Sequence, residues 1–501
     1  MRPVLTAAEQ RAADRAAMRT ATHETLVERA GLATSIAAAD LLPRVYGARV
    51  AVLCGPGSNG EDGRVAARLL GGRGAACAVV EVASAPALLD GVDLVVDAAF
   101  GTGLSRPWDA PVVPDEIPVL AVDLPSGVDP DTGVAGGRAI EATASVAMGS
   151  LKRGHVLADG AALSGELVVA PLGIEPEEVS CALIEDDDLD AVAPLGRDEH
   201  KWRRALLVVG GAPGMVGAPG LACDGALAAQ AGMVLCCVPG AGGDVDGHLP
   251  REVVRVVAAE DEVVDAILAR IDRTRATVLG PGLGRGPTAA RTVAALVARA
   301  PTPLVLDADA LHLVDAAALR ARDARLGSVV LTPHDGEYEA LCGVPPGSDR
   351  FAAASRLAAE TGCTVLLKGP TTAVASAAPP DGVPAALAVT AGTPDLATPG
   401  TGDVLAGVVG ALLARGIPAH LAAALAAHLH GRAGGALGAR CRAGALPGAI
   451  AALLESRREA VPSWEPRAGA APRGRRSISA RSGTTPPRSR RSARRRDSAR
   501  W

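Results

Sequence analysis

A chain of 501 residues is too long for one ordinary hydrophobic core, so two or three domains are expected. About half of the residues are apolar (49%) but only 2% are aromatic, so the cores must be built from Ala, Val and Leu. The net charge is −5, the nine cysteines are scattered without a CxxC pair, and no uncharged apolar run reaches the ~18 residues of a membrane span. These features exclude a disulfide framework, a zinc site and a membrane protein, and they predict a reducing cytoplasm.

In chain order, the first ~40 residues carry Ala and Leu at helical spacing, and the opening MRPVLTAAEQRAADRAAMRT is charged and helical, unlike a signal peptide. From Arg49 the pattern becomes β-rich: ARVAVLC is followed by the loop GPGSNGEDG and a helical GRVAARLL, and AACAVVEV, VDLVVDAAFG and PVLAVDLPSG read as further strands. Strands alternating with helices predict a parallel sheet covered on both faces, with ligands at the strand C-terminal ends. The first domain is assigned to residues 1–183 and an acidic, weakly periodic linker to 184–199. A second α/β domain follows over 200–457, with strands RRALLVVGG, TVLGPGLG, TPLVLDADAL, SVVLTPHDGE and CTVLLKGPTT and a helical end from Asp403. Residues 458–501 form an Arg/Ser/Pro-rich tail expected to be disordered. Twelve arginines against Asp497 give its last 35 residues about +11 and leave about −16 on the rest. An acidic body argues against nucleic acid as a partner, apart from non-specific contact by the tail.

The residues that survive this Ala/Gly/Arg-biased composition mark the chemistry. Lys152, Lys201 and Lys368 are the only lysines, Asn59 the only asparagine, and Phe100 and Phe351 the only phenylalanines. Three strand ends in the first domain deliver Asn59, Asp97, Asp123 and Ser126 toward one edge. Such oxygen donors suit a hard cation such as K⁺, and the glycine loops offer backbone N–H groups to phosphate. In the second domain ATPGTGDVLAG places Gly400, Thr401 and Gly402 at a helix N-terminus, an anion hole with Asp403 in its first turn. A carboxylate there can take the proton of a substrate hydroxyl while the amides hold a transferring phosphoryl group. Lys368 with Thr371 and Thr372, His334 with Glu337, and Asp307 with Asp309 sit at neighbouring strand ends.

GPGSNGEDG, DAAFGTGLSRP, AVDLPSGVDPDTG and LKRGHVL, in this order over roughly residues 1–180, resemble the NAD(P)H-hydrate epimerase family. The resemblance implies a Rossmann-like three-layer sandwich. It implies that Asn59, Asp97 and Ser126 hold K⁺, and that Asp123 contacts the nicotinamide and is the acid/base catalyst. The substrate would lie on Ser58, Asn59, Gly60, Glu61, Asp62, Asp123 and the loop Gly101, Thr102, Gly103, Leu104, Ser105, Arg106 and Pro107. Lys152 falls in the family's LKxGH segment, where a cation near phosphates is expected. Glu61 replaces a glycine of the family's NNGGDG loop, and a carboxylate pointed at the pyrophosphate would repel it.

HKWRRALLVVGG, GAPGLA, GPGLG, LDADAL, LTPHDGE, LKGPTT and LATPGTGDVLAG resemble the ADP/ATP-dependent NAD(P)H-hydrate dehydratase family over about residues 198–455. This implies a ribokinase-like α/β domain that phosphorylates the C6 hydroxyl of the hydrated cofactor, with Mg²⁺ and ADP (giving AMP) or ATP, and then eliminates phosphate. Ala218, Gly282, His334 and Asp403 would contact the hydrated cofactor, with Asp403 as general base. Lys368, Gly369, Pro370, Thr371, Thr372 and Gly402 would contact the nucleotide. Pro399, where the family often has Gly or Ala, lacks an N–H but precedes the Gly-Thr-Gly turn. The expected whole is therefore a two-domain repair enzyme of small molecules, cytoplasmic and homo-oligomeric. Two other readings are a small-molecule kinase of the ribokinase-like superfamily and, for the first domain, a non-catalytic binding module.

Overall fold

The computed structural model describes residues 1–103, 107–192, 195, 199–239 and 247–460. The first part carries strands β1 (Arg2–Leu5), β2 (Arg49–Cys54), β3 (Ala76–Glu81), β4 (Leu94–Ala98), β5 (Val119–Val122), β6 (Ala144–Met148), β7 (Leu151–Lys152), β8 (Glu166–Ala170) and β9 (Cys181–Leu183). Six of them form an all-parallel sheet in the order β3-β2-β4-β5-β6-β8. Side chains alternate across it as the pleat requires. In β2, Val50, Val52 and Cys54 enter a core shared with Ala30, Ala38, Ala67 and Leu70 of helices His23–Asp40 and Ser58–Gly72. Ala51 and Leu53 face the other core, closed by Leu89, Ala110 and Ile140 from the connections between strands. Phe100 meets Trp108 there edge to face, with ring centroids 5.1 Å apart.

The second part adds β10 (Ala205–Val209), β11 (Met233–Cys237), β12 (Val254–Val256), β13 (Ala276–Leu279), β14 (Leu304–Leu306), β15 (Val329–Leu331), β16 (Thr364–Leu367), β17 (Thr372–Ser376) and β18 (Ala386–Val389). From β12 to β16 the sheet is parallel in the order β12-β11-β10-β13-β14-β15-β16, and β17 and β18 continue it antiparallel. Helices Gly217–Ala228, Thr401–Ala414 and Ala419–Leu437 cover one face; Val263–Ile271, Pro287–Arg299 and Arg350–Thr361 cover the other. A core with few aromatics fills space by close backbone approach. A Cβ on Gly407 would sit 1.9 Å from the Ala222 carbonyl oxygen, and one on Gly410 would sit 2.5 Å from Val278 Cγ2. Both glycines therefore belong to the packing of the helix that begins at Thr401.

Beyond β18 the sheet does not stop. β9 pairs parallel with β18, β1 pairs antiparallel with β9, and β7 pairs parallel with β1, so three strands from the first 183 residues complete the sheet of the second part. Pairing satisfies the backbone groups that an edge strand would leave open. Val4, Leu151, Val156 and Leu157 share one apolar core with Leu207, Leu306 and Phe351. The acidic segment assigned as a linker packs too. Leu189 and Val192 are buried, and Asp186 meets His428 Nε2 at 2.8 Å and Arg432 at 3.1 Å. Among the described residues no helix is long and apolar enough to cross a membrane.

Candidate active sites

The first site is a cavity of about 580 Å³ at the C-terminal edge of β2, β4 and β5. Helix Ser58–Gly72 starts at its rim, and Asn59, Asp62, Gly101, Thr102, Asp123 and Lys152 line it together with Asp14 of helix Ala7–Ala17. Asp123 adopts a left-handed backbone, φ 69°, a conformation that costs a non-glycine residue on the order of 1 kcal/mol and so needs local support. Support comes from all sides. The Lys152 ammonium donates to Asp123 Oδ1, Met148 N–H donates to the same oxygen at 3.0 Å, and His155 Nε2 lies 2.6 Å from the Asp123 carbonyl oxygen. Lys152 is fully buried and also donates to the Met148 carbonyl at 2.7 Å. The lysine therefore serves the carboxylate and not a phosphate, a pairing between β5 and β7 that no local motif reveals.

Asp97 is buried beside Ser126, whose N–H donates to Oδ2 at 2.8 Å and whose Oγ lies 2.7 Å from Oδ1. Burial raises the Asp97 carboxyl to about 6. Asn59 has a buried amide nitrogen with no partner. Rotation of that amide exchanges its nitrogen and oxygen, so the position offers a ligand oxygen as readily as a donor. A monovalent cation fits this donor chemistry. Asp62, also buried, is pushed up to about 8 by burial and by the nearby Asp123 and Glu61 carboxylates, which keeps it a neutral acid at pH 7.

Glu61 does not line the cavity. Its half-exposed carboxylate reaches Nε2 of His23 at 2.7 Å at the cavity rim, so the added charge stands beside the cavity and is met there by the histidine. Gly60 packs inward, where a Cβ would lie 2.0 Å from the Gly55 carbonyl oxygen. Ser58 and Gly103 line the cavity, Pro107 is exposed at the end of the same loop, and Leu104, Ser105 and Arg106 lie outside the described residues.

The second site gathers at the C-terminal ends of β14, β15 and β16 around the N-terminus of helix Thr401–Ala414. Gly400 caps that helix with φ 88°, and a Cβ there would sit 2.6 Å from Leu221. Thr401 Oγ1 donates to the Leu396 carbonyl at 2.8 Å, and His430 Nε2 lies 3.0 Å from the Thr401 carbonyl, which fixes the turn from both sides. Asp403 is raised to about 7 by burial and then by Asp307, with Lys368 opposing the shift. Lys368 Nζ lies 3.0 Å from Asp307 Oδ1 and 3.6 Å from Glu337 Oε2. Burial lowers its pKa, but the Asp307 and Glu337 carboxylates outweigh burial and raise it, so it is a fixed cation. Thr332 Oγ1 donates to the same Asp307 oxygen at 2.6 Å.

Other members of the expected set fall into place unevenly. Gly282, at φ 58°, faces Ala218 so closely that a Cβ would approach it to 3.0 Å, which brings two residues 64 apart in sequence together. Gly402 faces Lys368 Nζ, with 3.6 Å available to an added Cβ. His334 is first a helix cap: Nδ1 accepts from Gly336 and Glu337 N–H at 3.1 and 3.2 Å, which leaves only its Nε2 side for a ligand. Asp309 is tied to Gly284 N–H at 2.9 Å and Arg285 at 3.0 Å. Gly369 and Pro370 are exposed, whereas Thr371 is buried and directs its hydroxyl away from the site, at the Val156 carbonyl. Lys201 is exposed just before the N-terminal end of β10, opposite the C-terminal strand ends that carry the second cluster. Sequence reasoning missed His155, and it missed Arg350, which donates to the Lys368 carbonyl at 2.5 Å and whose guanidinium covers Gly369. A buried histidine in LKRGHVL and the only arginine next to Phe351 were the available signals.

The family model described as NAD(P)H-hydrate dehydratase matches residues 206–455, and one described as YjeF-related protein N-terminus matches residues 23–90 and 79–154. A bifunctional NAD(P)H-hydrate repair enzyme of Moorella thermoacetica is 34% identical over 401 residues, covering 68% of this chain and 74% of that protein. One of Mycobacterium tuberculosis is 36% identical over 378 residues, covering 69% of this chain and 76% of that protein. The solved ADP/ATP-dependent NAD(P)H-hydrate dehydratase of Bacillus subtilis, co-crystallised with ATP/Mg²⁺, is 25% identical, covers 55% of this chain and 98% of its own, and superposes with a TM-score of 0.45. With both family models matched on one polypeptide and relatives matched over about three quarters of their own length, the chain belongs to the family of bifunctional NAD(P)H-hydrate repair enzymes, an epimerase joined to a dehydratase.

Proposed function

We propose that the first cavity interconverts the R and S forms of hydrated NADH and NADPH at C6, with Asp123 moving the proton and Lys152 orienting that carboxylate. Backbone N–H groups at the start of helix Ser58–Gly72 and of the loop Gly101–Gly103 bind the pyrophosphate. Asn59, Asp97 and Ser126 would hold K⁺, which supplies positive charge beside that pyrophosphate. In the second site Asp403 takes the proton of the S-form C6 hydroxyl as its oxygen attacks the terminal phosphorus of ADP or ATP, with AMP or ADP leaving. The C6–O bond then breaks, phosphate departs, a proton is lost from C5, and the dihydropyridine ring is restored. Lys368 and the Gly400–Gly402 turn stabilise charge on the transferring group. Asp307, Glu337 and Asp403 place three carboxylates around one ammonium, and this negative excess favours a nucleotide that arrives with Mg²⁺. All nine cysteines are free, which supports a reducing cytoplasm as the location.

The observation that carries the reading is Asp403: a carboxyl poised at about 7 in the first turn of a glycine-capped helix, beside a fixed lysine. The test is recovery of the near-ultraviolet absorbance of the dihydropyridine from a mixture of both hydrate epimers with ADP or ATP and Mg²⁺. Wild type should convert everything. Asp403→Asn should slow recovery by about 10²–10⁴-fold, and Asp123→Asn should stop after one epimer apart from slow spontaneous interconversion. Release of a phosphorylated product in place of the dihydropyridine would favour the kinase alternative.

A further inference from the structure

Segment 151–157 belongs to both halves of the molecule. Its first residues carry Lys152 into the epimerase cavity, and its histidine reaches the backbone of Asp123. The neutral His155 ring accepts the Lys152 N–H on Nδ1 at 2.9 Å and presents Nε2–H to the Asp123 carbonyl at 2.6 Å, so one tautomer serves both bonds. The next residue, Val156, is buried in the core of the second part, and its carbonyl oxygen accepts the Thr371 hydroxyl at 2.5 Å. Thr371 is 4% exposed and follows directly on the loop Lys368–Pro370. Arg153 adds a second tie between the halves: its guanidinium lies 5.6 Å from the Phe351 ring centroid, 4.0 Å from Asp349 and 3.0 Å from Ser180 Oγ. The neighbouring Arg350 holds the Lys368 carbonyl.

We propose that Thr371, a residue of the dehydratase half, is a positioning residue of the epimerase site, holding Asp123 and Lys152 in place through Val156 and His155. The inference rests on the assignment of Asp123 to epimerisation. A left-handed carboxylate bonded to a buried lysine has little tolerance for displacement, and a misplacement near 1 Å can cost about a hundredfold in rate. A hydroxyl has one proton, so its commitment to Val156 leaves the Thr371 side chain no proton to donate to a nucleotide phosphate. The test uses the full chain with a single purified hydrate epimer and no nucleotide, so that dehydration does not remove the S form, and follows the other epimer by chromatography. Thr371→Val should lower kcat for epimerisation about tenfold with KM held within about twofold, and Thr371→Ser should restore it. Thr371→Ala, with thermal unfolding measured for all three, guards against a folding defect peculiar to valine. Wild-type kcat in Thr371→Val and Thr371→Ala, or losses that track the unfolding temperature and persist in Thr371→Ser, would overturn the proposal. Asp123→Asn in the same assay separates the two levels. If it is inactive while Thr371→Val is normal, only the positioning role fails; if it epimerises normally, the assignment beneath it fails as well.

Discussion

The two sites solve the same electrostatic problem in opposite ways. In the epimerase cavity the charge of the Asp123 carboxylate is balanced by the protein itself, through a fully buried lysine that donates to it. In the dehydratase site Asp403 stands among Asp307, Glu337 and Asp309, and the one lysine nearby is already engaged by Asp307 and Glu337. The difference follows from what each reaction brings with it. Epimerisation adds no co-substrate, so the charge must be balanced internally. Phosphoryl transfer brings a polyanion together with cations, so a site with a carboxylate excess is completed only when they arrive.

The largest effect that would sharpen this contrast is expected from Asp403→Asn. Loss of the general base should reduce dehydration by about 10²–10⁴-fold while the epimerisation rate stays within about twofold. Comparable losses in both activities would break the separation of the sites. Lys152→Met should act in the other half. It leaves Asp123 buried and unpaired, which costs about 3–5 kcal/mol, read as a lower denaturant midpoint together with loss of epimerisation. Unchanged stability would mean that the pair is solvated and not a buried ion pair.

The pH profile of dehydration separates the sites next. A base raised to about 7 is protonated and inactive below that value, so kcat/KM should rise about tenfold per pH unit up to near pH 7 and level off above it. A profile flat from pH 5 to 8, an interval of about three units, would remove Asp403 as the base. The smallest effect is expected from Glu61→Gly. Because the half-exposed Glu61 carboxylate is engaged by His23 at the cavity rim and does not line the cavity itself, KM for the hydrated cofactor should change by no more than about twofold. A several-fold drop in KM would show that its charge does reach the substrate.

Both clusters were visible as motifs because parallel sheets expose their strand C-termini at one edge, and glycine loops with acidic residues there are unusual enough to be read locally. Phe100 and Asn59, rare in this biased composition, line the first cavity, and Lys368 lies in the second cluster. Lys201 shows the limit of reasoning from rarity, since it is exposed just before the N-terminal end of β10. Lys152 was placed on phosphate by its motif and lies instead on Asp123, because a side chain's partner depends on how β5 and β7 are brought together. Glu61 looked damaging as a departure from the motif, and in the fold its carboxylate meets His23 at the cavity rim.

Strand alternation, the 2-residue and 3.6-residue periods and the turn chemistry thus determined from sequence alone that there are two α/β units and in which order. The division into independent domains was decided by tertiary structure. β1, β7 and β9 are short, and nothing in four or fewer residues specifies a partner. β9 pairs with β18 of the other half, and β1 and β7 extend it in turn, because an open sheet edge lies within reach, and the shared core buries Val156 where Thr371 can hold it. Local sequence encodes propensity and period, whereas edge pairing and buried ion pairs are contacts between distant residues, which exist only once the chain has folded.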